Sequence, residues 1–252
     1  SATYSNTNKI LVISGATDIN GTLTSSTGTF DVNGAFDATS GNVTFTGAGN
    51  LKLGSTVTSL GTFTESTSTV TYDQSGGFTQ AVASDTYYNL TLNSTPSYFL
   101  TANDVIVTGE IEVGASSTIL LGGELTAGSL DLNGELSTVS NDVTVSGVSD
   151  IDGTLTITSS TYNADGAIDA TSGTIDLNST AILALSSTVT SLGTLDIAEG
   201  TVKYDGTSAQ TVRAPSSGGY FNLTIENAST KTAGANIDVN GALTTEAEAS
   251  CV

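Results

Sequence analysis

The chain has 252 residues, 25 of them acidic and only 5 basic, so its formal net charge is −20. That balance sets aside nucleic acid and anionic membrane surfaces as partners, because both are recognised through Lys and Arg. With no His and a single Cys, a Ser–His pair, a His-ligated zinc and an activated thiol are also excluded, and the chain is not expected to be an enzyme.

Thr and Ser dominate the composition, which favours strands and turns over helices. No apolar run approaches the roughly 20 residues of a membrane helix, so no membrane insertion is expected. The expected product is a mature exported protein, with any leader removed before Ser1.

In chain order, the first recurring element is Asp18-Ile-Asn-Gly21, followed by Asp31-Val-Asn-Gly34 and later by Asp131-Leu-Asn-Gly134, Asp150-Ile-Asp-Gly153 and Asp238-Val-Asn-Gly241. One reading is a turn whose amide and carboxylate groups satisfy the backbone. The other is a weak calcium site at Asp18, Asn20, Asp31, Asn33, Asp150 and Asp152, because hard cations take oxygen ligands. Calcium is the one cofactor in question.

Strands read as period-two alternation at Asn42-Val-Thr-Phe-Thr46, Asn50-Leu-Lys-Leu53, Ser68-Thr-Val-Thr-Tyr72, Asn89-Leu-Thr-Leu92, Asp104-Val-Ile-Val-Thr108 and Asp142-Val-Thr-Val-Ser146. A glycine recurs about every 20 positions and is followed at +2 by an apolar residue: Gly21, Gly41 and Gly61, then Gly153, Gly173 and Gly193. Such a step suits one coil of a parallel β-solenoid, with about 12 coils in the chain. Two tandem β-sandwich domains are the alternative.

Between Tyr72 and Gly109 lies the most aromatic stretch, with Tyr87, Tyr88, Tyr98 and Phe99, matched later by Tyr220 and Phe221. These residues fill the core or a coil edge, or they form a lateral surface for another subunit or a glycan.

The whole pattern then repeats with a period of 132. Ile19 to Thr62 aligns without a gap to Ile151 to Thr194, with 23 of 44 positions identical. Residues 1–132 therefore form a first unit and 133–252 a second, truncated one, continuous with the first. Thr-x-Thr runs such as Thr56-Val-Thr58, Thr62-Phe-Thr64 and Thr154-Leu-Thr-Ile-Thr158 raise ice binding as an alternative function. Ice would need one regular face across consecutive coils, and in the sequence these ladders shift from coil to coil. Cys251 is a candidate for an intermolecular disulfide.

The segments Gly200-Thr-Val-Lys-Tyr-Asp-Gly-Thr-Ser-Ala-Gln-Thr-Val212, Tyr220-Phe-Asn-Leu-Thr-Ile225 and Ile237-Asp-Val-Asn-Gly-Ala-Leu243 resemble bacterial exported repeat proteins of the filamentous-haemagglutinin and adhesin type. The first copy carries the same signature more loosely. The resemblance implies export, a β-solenoid and a passive surface or fibre role, with no catalytic residues to carry over. The expectation is an extracellular or cell-surface structural or adhesive protein. It would be built by end-to-end stacking with its own kind, or with neighbouring repeats of a longer chain; ice or glycan binding is the alternative.

Overall fold

The computed structural model describes residues 2–74, 79–93, 97–100, 103–197, 199–227 and 229–246. Among these the fold is all-β without a helix, and the strands are parallel and stacked as a β-solenoid of about 11 turns. Among the described residues no helix is long and apolar enough to cross a membrane. The chain divides into two compact units, Ser1–Thr126 and Ala127–Val252. The boundary falls inside the strand Leu125–Leu132.

The glycine step is visible in the pairing itself. In the first unit Leu23 lies beside Val43, and Val43 beside Phe63. Each coil places short strands in separate parallel sheets. One sheet runs Thr3–Asn6, Thr22–Ser25, Asn42–Phe45, Thr62–Thr64. A second runs Ile10–Ile13, Thr29–Val32, Asn50–Leu53, Thr69–Tyr72, Asn89–Leu92. A third runs Thr17–Asp18, Phe36–Asp37, Val57–Ser59. The second unit repeats the plan, as in Glu135–Ser137, Thr154–Thr158, Thr174–Asn178, Thr194–Ile197. Its coils are not all equal, and the one that carries Leu195 to its partner Gly218 is longer than the one that carries Ile175 to Leu195. Loops that lengthen a coil in this way leave fewer turns than an even glycine step implies.

Alternation sorts the side chains. In Thr29–Val32 and Asn50–Leu53 every second residue is buried, namely Phe30, Val32, Leu51 and Leu53. Inward residues of successive coils fall on top of one another, because in-register parallel pairing keeps like positions together. Aromatic side chains of the first unit also meet one another, mostly from strands of different sheets: Tyr4 to Phe30 (6.1 Å between ring centres), Phe30 to Phe45 (6.4 Å), Phe45 to Phe63 (6.2 Å) and Phe63 to Tyr87 (6.0 Å). Tilted and edge-on contacts of this kind add about 0.5–1.5 kcal/mol each beyond burial.

The glycine step has a steric cause. Gly61 and Gly193 stand at equivalent corners with φ of 71° and 55°, where any side chain is strained. A Cβ at either would also strike carbonyl oxygens of the preceding coil, those of Ala38 and Gly41 in one unit and of Ala170 and Gly173 in the other.

Candidate functional site

The residues shared by the two copies of the signature build a polar lock inside each unit. In the second unit the Tyr204 and Tyr220 hydroxyls are 3.2 Å apart. Tyr204 accepts the Arg213 backbone N–H at 3.0 Å, while Tyr220 donates to the Arg213 carbonyl. The first unit makes the same ring from Tyr72 and Tyr87, 3.3 Å apart, with the backbone N–H and carbonyl of Ala83. Gln210 donates to the Leu185 and Ser187 carbonyls at 2.8 and 2.7 Å. Gln80 donates correspondingly to those of Leu53 and Ser55. Two phenols thus tie the strand Thr201–Tyr204, or Thr69–Tyr72, to the backbone of Arg213, or Ala83, and one amide ties Gln210, or Gln80, to the preceding coil. All four tyrosines are fully buried. Burial pushes the Tyr72 phenol up to about 12 and raises Tyr87, Tyr204 and Tyr220 as well.

This placement corrects part of the sequence reading. Tyr87 and Tyr220 have no exposed surface, so neither belongs to an interaction surface; they are core side chains, facing inward by strand alternation. Tyr88 is 36% exposed and Phe221 is half-buried, so these two reach the outside. Tyr98 and Phe99 lie in the strand Ser97–Leu100, paired with Gln80–Val82 and Thr118–Leu120; their side chains lie outside the described residues, as does Cys251.

The Asp-x-Asn-Gly segments form bends. Asn20 donates to Asp18 at 2.9 Å, and Asn133 donates to Asp131 at 2.7 Å. Asn33 and Asp152 use their backbone N–H on the Ile13 and Leu132 carbonyls of the preceding coil, each at 2.9 Å. Among the described residues no group of three or more His, Cys, Asp or Glu side chains is arranged to hold a metal ion. What register does create is a rank of carboxylates: Asp131 pairs with Asp150, and Asp150 with Asp169. Partial burial, and after it the neighbouring carboxylates of Asp152, Asp131 and Asp169, raise the Asp150 carboxyl above its ordinary range.

The remaining candidate is a pair of strand edges that lack an outer partner among the described residues. Among the described residues Thr3–Asn6 and Ile10–Ile13 are each paired on one side only, with Thr22–Ser25 and Thr29–Val32. Tyr4, Ile10 and Val12 are exposed there by 50, 72 and 56%. In the second unit Lys231–Ala233 and Leu243–Thr245 are paired on one side only. Leu243 is 62% exposed and borders a groove lined by Val212, Leu223, Ile225, Ile237 and Val239. The sequence holds the signal for these edges, apolar alternation at Ile10-Leu-Val-Ile13, but composition does not reveal which strands are left unpaired. Compared with family models, curated proteins and solved structures, the chain matches none.

Proposed function

We propose that the protein is a structural element of an extracellular or cell-surface fibre, assembled by stacking copies end to end. The observation that carries this reading is the pair of strand edges, with exposed apolar side chains, that are paired on one side only among the described residues. Ile10 and Val12 stand on a strand whose outer side has no partner among the described residues, and Leu243 stands on another. A parallel strand edge of this kind templates a further strand unless it is covered. Stacking a second copy there would continue the backbone ladder and cover part of the exposed aliphatic side chains, at about 25 cal/mol per Å² of apolar surface removed from water. No site chemistry is required.

The test is light scattering and electron microscopy of the purified chain over a range of concentrations. The wild type should gain mass with concentration and form filaments. A variant carrying Ile10→Lys and Val12→Lys, and separately Leu243→Lys, should remain monomeric with unchanged circular dichroism. A wild-type chain that stays a discrete monomer at high concentration refutes the reading.

A further inference from the structure

The strands Thr3–Asn6, Thr22–Ser25, Asn42–Phe45 and Thr62–Thr64 bring together a surface that the sequence does not display. Their register stacks Thr3, Thr22, Asn42 and Thr62 in one rank, and Ser5, Thr24, Thr44 and Thr64 in the next. The ladders that look shifted along the sequence are therefore in line on this sheet, because coils of slightly different length absorb the offset (Thr3 to Thr22, then Thr22 to Asn42).

Three features distinguish this face. Seven of its eight outward positions carry a hydroxyl and none carries a charge, in a chain with 25 acidic residues. Sister faces differ. The matching sheet of the second unit reads Ser137, Thr156, Asp176 and Asp196 in its second rank, and the adjoining sheet of the first unit holds Asp31, Lys52 and Glu112. Strand propensity alone would not keep one face neutral while its copy accepts carboxylates. Next, the hydroxyls of Ser5, Thr24, Thr44, Thr62 and Thr64 make no hydrogen bond among the described residues, so their capacity is turned entirely to solvent. Last, the array is stiff: β-branched side chains hold few rotamers, and Leu23 and Val43 behind it are buried.

We infer that this face binds ice. Hydroxyls and methyls alternate on a grid of ~4.8 Å across coils and ~6.7 Å along each strand, a regular two-dimensional pattern with no charge for an ion. Water held on such a grid is ordered before it meets the crystal, so adsorption costs less entropy. The inference is independent of end stacking, since the face uses no edge residue beyond Thr3 and Ser5.

The experiment measures thermal hysteresis and ice-crystal shape with the full chain. The wild type should show a freezing gap and faceted crystals. Thr24→Tyr with Thr44→Tyr should abolish both, whereas Thr156→Tyr with Thr174→Tyr on the sister face should leave both unchanged, with circular dichroism confirming the fold of each. The smaller change Thr44→Asp, which copies the second unit, should also abolish the gap. A wild type without a gap overturns the inference. So does a gap that survives the first-unit substitutions, or threonine-dependent adsorption to crystalline cellulose or chitin with no effect on ice.

Discussion

At the scale of single residues, the least replaceable side chains are those whose polar atoms are spent inside the coil. Tyr204, itself fully buried, holds the Arg213 N–H and faces the buried Tyr220 hydroxyl. Removing its oxygen deletes the acceptor of the part-buried Arg213 N–H bond, which costs about 0.5–1.5 kcal/mol. Tyr204→Phe should lower the unfolding free energy read from urea titrations by that amount, and a value equal to the wild type would show that the ring contributes nothing to stability. These locks are poorly legible in the sequence, because Tyr204, Gln210 and Tyr220 sit on different segments and meet only where the coil turns. The corner glycines are legible for the opposite reason. The carbonyl of the preceding coil excludes a Cβ at Gly61 and Gly193, so the steric demand is written at a fixed interval.

At the scale of the element, in-register parallel pairing makes every position its own neighbour. That serves the core, where Phe30, Leu51, Val70 and Leu90 fall in line, and it penalises charge. Asp131, Asp150 and Asp169 form such a rank, and like charges directly opposite one another cost a few tenths of a kcal/mol or more. The Asp150 carboxyl is raised in the folded protein relative to its ordinary value of 3.8. Its protonated form is therefore favoured by folding, so its contribution to stability is best at low pH and declines as pH rises through 3.8 and above. Asp150→Asn should accordingly stabilise the protein by about 0.2–1 kcal/mol at pH 7, with little gain at pH 3, as read from denaturant midpoints at the two pH values. An Asn variant less stable than wild type at pH 7 would mean that Asp150 makes a favourable contact outweighing the repulsion. The same register explains why the threonine ranks escape a linear reading. Alternation shows that Thr22 and Thr24 point the same way, but only pairing shows that they stand beside Asn42 and Thr44.

At the scale of the whole molecule, both units carry buried phenols: Tyr72 and Tyr87 in one, Tyr162, Tyr204 and Tyr220 in the other. Burial raises each in the folded state. The unfolded chain loses these protons near pH 10 while the folded chain keeps them, so stability is full below pH 10 and falls above it, by about 1.4 kcal/mol per pH unit for each tyrosine. Alkaline titration should therefore show tyrosinate absorbance rising together with the loss of β-sheet circular dichroism. Ionisation of these phenols with the sheet signal intact would contradict their burial. The solenoid class is readable from period and alternation, but the number of turns and the unpaired strands depend on loop lengths, which the glycine step does not set.

Because every described strand pairing is parallel, the strand edge at Ile10 and the groove at Leu243 are chemically unlike. A contact joining one to the other is head to tail and never closes on itself by a twofold axis. Any polymer built this way is an arrow. Its two tips would differ in growth rate, and a small molecule seated in the groove bordered by Leu243 and Ile225 would arrest elongation at one tip while leaving the other free to grow.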